Sequence, residues 1–490
     1  MVVLEYMEQN KVLFCLLKGF IYLYLTHKNT QKCDEMERVR LEDLKTWLQS
    51  TDRKPLVIRG ARQVGKTWLV RQLALWAKLQ LIEFNFEDRK QDASLFRTND
   101  PHVTLREIGA SRNITINSQR SFLFLDEIQA APELLAKLRW FAEKMPELAV
   151  IATGSLLDFA LETHTFSMPV GRIGYLYLEP LSFEEFLIAK QAVGLLDYIQ
   201  HYSLTESVPE AIHDQLMTLY KEYLIIGGLP AAVCSWVREQ SLVKVSKIHH
   251  DLVSSYRDDF GKYRGRLAIE RLEEVMISVP KQLAQKFTYQ QANPNVHSTQ
   301  LKQALHLLNK ARISHSVISS HANGVPLGAE TNDKYFKEIY IDVGLCCAKL
   351  GLTLNEVQAI DEINLVNKGG IAEQSAGQIL RTIFPYYIDP ALFCWMRAMP
   401  GSSAEIDYVL AHNNKVIPIE IKAGTTGSLK SLHFFMGEKN FDLAIRINSD
   451  YPRKVKVDLK NTVGKSVQYT LLSLPFYLLG QIHRCIDCDY

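Results

Sequence analysis

Long hydrophobic runs are scarce in this chain of 490 residues. The best candidate, residues 12–25, is short and interrupted by Lys18, whereas a spanning helix needs about 20 apolar residues. Stable membrane insertion is therefore not expected. The residues that follow, Thr26-His27-Lys28-Asn29, are polar and bulky, which argues against a signal-peptide cleavage site. Cysteine is sparse as well. The eight thiols, at 15, 33, 234, 346, 347, 394, 485 and 488, have no framework spacing, so a reducing, cytoplasmic setting is expected. An excess of one charge is also missing: 56 Lys and Arg against 54 Asp and Glu leave +2. Any nucleic-acid surface must then be a local patch. Low-complexity tracts are absent, and the length exceeds what one core serves, so two or three folded domains are expected.

What is present begins at Pro55-Leu56-Val57-Ile58, a short apolar run of the kind that makes a buried strand. Gly60-Ala61-Arg62-Gln63-Val64-Gly65-Lys66-Thr67 follows and matches G-x-x-x-x-G-K-[ST] in full. Gly60 and Gly65 let the backbone turn and aim N–H groups at phosphate oxygens. Lys66 is expected to reach the β- and γ-phosphates, and Thr67 to offer its hydroxyl to Mg²⁺. Residues 68–76, from Trp68 on, are apolar at helical spacing, so the loop opens a helix whose N-terminus favours an anion. ATP and Mg²⁺ are the expected ligands, with residues 60–68 and Asp126 around them.

Further strands are read at residues 79–86, at Phe122-Leu123-Phe124-Leu125 and at 149–153. The second of these ends in Asp126-Glu127, the pattern of a Walker B strand. Asp126 would hold Mg²⁺, and Glu127 would orient and deprotonate the attacking water. The strand at 149–153 ends in Gly154-Ser155, where Ser155, with Thr153 second, is the candidate sensor of the γ-phosphate. An ordinary turn is the competing reading for that pair. Strands alternating with helices argue for a parallel, doubly wound α/β sheet with its ligand at the strands' carboxyl ends.

The ordered set of residues 53–67, Asn85-Phe86-Glu87-Asp88, Leu125-Asp126-Glu127-Ile128-Gln129, Thr153-Gly154-Ser155, Gly171-Arg172, residues 178–186 and Gly227-Gly228-Leu229-Pro230 resembles a prokaryotic group of AAA-type P-loop ATPases. Members of that group carry a C-terminal domain of unknown function, DUF4143. The resemblance covers roughly residues 36–435, with DUF4143 expected over roughly 235–435. It implies a sensor role for Ser155. It also implies an arginine-finger placement for Arg172, often serving a neighbouring subunit, so a homo-oligomer is an expected partner. The competing reading of Arg172 is a structural ion pair.

Beyond the nucleotide-binding half, residues 213–226 read as a helix stopped by Gly227-Gly228, and helical patterns continue over 243–257 and 269–279. Residues 281–286 and 298–311 then suggest a helix-turn-helix, with 312–319 and 337–342 as strands of a wing. Residues 261–339 hold eleven Lys and Arg against six Asp and Glu, a net +5. Such a unit can lay a helix in a DNA groove, with Lys302, Lys310 and Arg312 on phosphates, so DNA is the expected partner. A solvated basic face used for protein contacts is the alternative.

Residues 405–410 and 415–421 read as a hairpin around the Asn413-Asn414 turn. Asp407 precedes the turn; Glu420 and Lys422, two apart, share a face of the returning strand. Two carboxylates make an oxygen-rich Mg²⁺ site, and Lys422 would position water and steady phosphate charge. This Asp…Glu-x-Lys pattern resembles the PD-(D/E)xK nuclease core, with Ile406 in place of the proline. Glu373, on the helical stretch 370–379, resembles the additional metal carboxylate of many members. Cys485-Ile486-Asp487-Cys488, with His483, lacks a fourth ligand for a structural zinc and reads as a surface tail. The expected organisation is an extension over 1–35, a P-loop ATPase over 36–190, a helical lid over 191–260, a winged-helix-like unit over 261–350 and a restriction-endonuclease-like α/β domain over 351–490.

Overall fold

The computed structural model describes residues 37–155, 157, 171–260, 268–352, 368–399, 402–424, 427–462 and 464–489. The candidate apolar segment at 12–25 lies outside them. Among the described residues no helix is long and apolar enough to cross a membrane.

The first sheet has five strands: β1 (Leu56–Arg59), β2 (Gln80–Asn85), β3 (Ser121–Asp126), β4 (Ala149–Gly154) and β5 (Gly174–Tyr177). Their order is β2-β3-β4-β1-β5, and every pairing is parallel. Helices α1 (Arg40–Gln49), α2 (Lys66–Ala77), α3 (Pro101–Arg112) and α4 (Leu134–Lys144) accompany it. β3 and β4 are buried at every position, as central strands covered on both faces must be. Alternate residues serve the two faces: Leu56, Ile58, Phe122 and Ile151 join one buried cluster, while Val57, Leu123, Leu125 and Val150 join another. The expected doubly wound sheet is present, with β5 as a further strand beside β1.

Helices α5 (Phe183–Ala189), α6 (Val193–His201), α7 (Glu210–Ile226), α8 (Pro230–Glu239) and α9 (Leu242–Phe260) follow. Ser182 caps α5 in a box with Glu185. α7 stops at Gly227 for a steric reason. A Cβ on Gly227 would stand 2.1 Å from Asp342 Oδ1, and one on Gly228 would stand 2.1 Å from Leu181 O. The space is taken by hydrogen bonds: Gly228 N donates to Asp342 Oδ2 (2.6 Å), and Leu181 N donates to Gly228 O (2.7 Å). The glycine pair is thus a junction at which three distant stretches meet.

Next come α10 (Ile269–Lys281), α11 (Tyr289–Ala292) and α12 (Ser298–Lys310). The expected helix over 281–286 is not formed. α10 ends at Lys281, Ala284 has φ 60°, and the Gln282 side chain binds Ser278 and Thr288 instead. α10 and α12 contribute Leu272, Val275, Met276, Leu301 and Leu308 to the same buried cluster as one face of the first sheet.

The second sheet has eight strands in the order β12-β13-β11-β10-β9-β8-β6-β7. They are β6 (Ser314–Ser320), β7 (Thr331–Tyr340), β8 (Leu392–Met399), β9 (Ser402–His412), β10 (Lys415–Ile421), β11 (Leu443–Asn448), β12 (Arg453–Lys460) and β13 (Ser466–Pro475). Helices α13 (Val343–Leu350), α14 (Lys368–Thr382), α15 (Lys430–Lys439) and α16 (Ile482–Asp489) accompany it. The wing expected of a separate unit is the hairpin β6–β7, but β6 pairs parallel with β8. The hairpin is therefore the edge of the C-terminal sheet, and one hydrogen-bonded layer runs across the boundary expected at 350/351. Among the described residues Cys346, Cys347, Cys394, Cys485 and Cys488 are free thiols.

Candidate nucleotide site and C-terminal carboxylate cluster

β4 lies between β1 and β3, so the loop after β1 and the acidic end of β3 face each other across the end of β4. The loop's tight geometry requires its glycines: a Cβ on Gly60 would meet Leu178 O at 2.4 Å, and Gly65 has φ +96°, a region open to glycine. Lys66 is buried, and its Nζ donates to Gly60 O (3.1 Å) and Ala61 O (2.7 Å). Burial lowers its pKa to about 8, with the charges of Glu127 and Asp126 pulling the other way.

Thr67 Oγ1 donates to Asp126 Oδ2 at 3.0 Å, and Thr153 Oγ1 donates to Asp126 Oδ1. Asp126 is thus held between the P-loop and the neighbouring strand. Glu127 has φ 51°, a left-handed conformation that is costly for a side-chain-bearing residue, and its Oε2 accepts from Gln129 Nε2 and from Ser155 Oγ (3.4 Å). The sensor candidates therefore divide: Thr153 contacts the first carboxylate and Ser155 the second. Thr67 and Asp126, adjacent hard-oxygen donors, have the chemistry to hold Mg²⁺ beside a phosphate.

Residues far away in sequence brace the loop. Arg38 Nη1 donates to Val64 O (2.7 Å), its Nη2 to Glu179 O (2.7 Å) and its Nε to Glu185 Oε1 (2.9 Å). Tyr256 on α9 donates to Arg62 O (3.2 Å). The Arg62 guanidinium pairs with Asp259 of α9 and lies 3.6 Å from Glu87. Gln63 is exposed at the loop's tip, and Trp68 is half-buried on α2. Sequence reasoning missed Arg38, Gln129, Tyr256 and Asp259. Gln129 stood within a quoted motif, while the other three carry no local signal.

Arg172 is not brought to this site. It precedes β5, whose Gly174 is level with Leu56 at the start of β1, so it lies at the opposite edge of the sheet from the P-loop. There it pairs with Glu143 at 2.9 Å.

Arg312 is likewise elsewhere than expected. It is buried, donating through Nη1 (3.0 Å) and Nη2 (2.7 Å) to Asp389 and lying 3.9 Å from Glu179, so it presents no face to a phosphate. Lys302 is exposed on α12, and Lys310 at its end is half-buried. A cavity of about 630 Å³ between α12 and the β6–β7 hairpin is lined by Lys286, Tyr289, Lys302, His306, Lys334 and Phe336, among others.

In the second sheet, Ile419 pairs with Tyr408, which sets Glu420 beside Asp407. Asp407 Oδ2 accepts from Ile421 N at 2.7 Å, and Lys422 Nζ donates to Glu420 Oε1 at 2.7 Å. Burial, then the charge of Asp407, pushes Glu420 up to about 7. Glu373 on α14 lies near Asp407, and a lysine comes with it. Lys337 on β7 lies 2.9 Å from Glu373, 2.5 Å from Glu405 and 3.6 Å from Asp407. Desolvation lowers the pKa of Lys337, yet Glu373, Asp407 and Glu405 outweigh it and raise it well above the ordinary lysine range. Among the described residues no group of three or more His, Cys, Asp or Glu has the disposition of a metal site. Of the Glu373, Asp407 and Glu420 set expected to hold Mg²⁺, Glu373 and Asp407 face the Lys337 ammonium while Glu420 pairs with Lys422, so the set does not fit a divalent ion as it stands.

Residues 52–187 match the family described as an AAA domain. Residues 217–356 match a domain of unknown function, DUF8612, and residues 368–455 match another, DUF4143. The DUF4143 match thus starts far later than the expected 235. No curated protein matches. Among solved structures, the chain is similar to a Signal Transduction ATPase with Numerous Domains (STAND) protein with a tetratricopeptide repeat sensor from Pyrococcus horikoshii. The identity is 13%, with 72% of this chain and 47% of that one covered at a TM-score of 0.25. The chain spans about half the length of that protein, and at this score nothing further rests on the likeness. The chain thus carries an AAA domain on its P-loop sheet and a DUF4143 domain in its C-terminal part.

Proposed function

We propose that the protein hydrolyses ATP and uses the cycle as a switch acting on a DNA-binding C-terminal half. The observation that carries hydrolysis is the pair of adjacent carboxylates held differently: Asp126 between Thr67 and Thr153, and Glu127 between Gln129 and Ser155. Backbone N–H groups of residues 60–67 and the Lys66 ammonium bind the phosphates. Mg²⁺, held by Thr67 and Asp126, supplies charge neutralisation on the phosphate oxygens when bound. Glu127 orients and deprotonates water, and Ser155 keeps that carboxylate in place. Lys66→Ala is expected to lose nucleotide binding. Glu127→Gln is expected to bind nucleotide and turn over about 100-fold more slowly. A Glu127→Gln turnover within about a factor of two of wild type would defeat this assignment.

The switch reading draws on Arg62 and Tyr256, which link the P-loop to α9. DNA contact draws on the groove beside α12, where Lys302→Glu should weaken binding and flatten its salt dependence. Arg172 enters as a finger in trans, reaching a neighbour docked at the amino edge of the sheet. A specific activity that rises with protein concentration and is lost in Arg172→Ala is expected. Concentration-independent activity would leave Arg172 its pair with Glu143.

A second reading, DNA cleavage, is favoured by the approach of Asp407, Glu420 and Lys422. Linear, circular and single-stranded DNA incubated with Mg²⁺ or Mn²⁺ tests it. A cut by wild type that Lys422→Ala lacks would establish it.

A further inference from the structure

The C-terminal carboxylates already possess a cation. Lys337 Nζ is enclosed by Glu373 on α14 and by Glu405 and Asp407 on β9, and its side chain is 3% exposed. An ammonium is a compact point charge with three donors. Its burial is tolerated where surrounding carboxylates offset the desolvation, and a buried cluster of carboxylates equally requires a positive partner. A divalent ion would need the same oxygens at roughly 2.0–2.6 Å, in space the ammonium fills, and would be repelled by it. The two sides also come from different stretches of chain. Lys337 belongs to the 217–356 match, and the carboxylates belong to the 368–455 match. They meet because β6 pairs with β8 and carries β7 outside it as the edge strand. Lys422 stands apart from this arrangement, engaged with Glu420.

We propose that Lys337 is the resident cation of the carboxylate cluster, so that the cluster locks the β6–β7 edge to the C-terminal sheet and takes no divalent ion while β7 is docked. Any metal-dependent chemistry at Asp407 and Glu420 then requires that edge strand to withdraw. This goes beyond ATP hydrolysis, and its test does not depend on it.

The test is Mn²⁺ binding to the full-length, nucleotide-free protein, followed by electron paramagnetic resonance. Wild type and Asp407→Asn are expected to give the same titration. Lys337→Ala is expected to gain about one bound ion per chain, lost again in Lys337→Ala/Asp407→Asn. Lys337→Met, which keeps the stem's packing and removes the charge, serves if the alanine variant does not fold. An ion bound by wild type and lost in Asp407→Asn overturns the proposal. A folded Lys337→Ala or Lys337→Met that gains no ion overturns it as well.

Discussion

Lys66 holds its proton weakly because it is buried, with a pKa of about 8 in the nucleotide-free protein. An anionic nucleotide favours the charged ammonium, so the complex binds more protons than the free protein above that pH. By linkage, affinity must fall as pH rises through about 8, and must be nearly flat below about pH 7. Calorimetry in buffers of different ionisation enthalpy should show proton uptake on binding at pH 9 that is missing at pH 6.5. The same scale separates Thr153 from Ser155. Thr153→Ala removes a hydrogen bond to Asp126 and should weaken Mg²⁺-nucleotide binding. Ser155→Ala frees a partner of Glu127 and should lower kcat with less effect on KM. Equal effects of both variants on KM alone would contradict that division. Glu127, Asp126 and Lys66 were legible in the sequence because each is tied to a strand or loop by motif spacing. Arg38 was not, since its contacts at Glu185 are 147 residues away.

Among the elements, the turn between α7 and α8 has little room. A side chain on Gly228 would enter the Leu181 carbonyl at 2.1 Å, and backbone atoms have little room to give. Gly228→Ala is expected to destabilise by about 1–3 kcal/mol or more, read as a lowered melting temperature. A melting temperature equal to wild type would mean that the junction can shift. Elements marked by a continuous apolar run or a helical period were legible: β3, β4 and α7 lie within a few residues of where hydrophobic pattern and glycine stop placed them. The helix expected at 281–286 failed because Gln282 binds local polar groups, a competition that apolar spacing does not register.

At the scale of the molecule, buried charge ties the two sheets together. Glu179, just past β5, accepts from Arg381 of α14 at 2.8 and 3.2 Å and has Arg312 and His315 3.9 Å away. Desolvation raises its pKa, but Arg381 and Arg312 outweigh it and hold the carboxyl below its usual range. Arg381→Ala would leave that carboxylate buried with a weaker partner set, so a loss of about 3–5 kcal/mol is expected, measured by denaturant unfolding. Glu179→Gln/Arg381→Met together should cost much less, because both charges leave. If the double variant were as unstable as the single, packing rather than charge would be the cause.

The sequence by itself determined the chemistry that local spacing enforces. A strand followed by a glycine-rich loop and a helix builds the phosphate cradle, a strand ending in Asp126-Glu127 supplies the carboxylates, and a two-residue turn brings Asp407 to Glu420. In each case a few consecutive residues and backbone geometry suffice. The tertiary structure decided everything that depends on distant segments sharing one space. Arg172 went to the far edge of its sheet because β5 runs parallel to β1. Arg312 turned inward to Asp389 and Glu179. The expected wing became a sheet edge, and through it Lys337 entered the carboxylate cluster. Burial makes Arg312 and Lys337 seek partners wherever the chain has brought them, and pairings across dozens to hundreds of residues leave no periodic mark on the sequence.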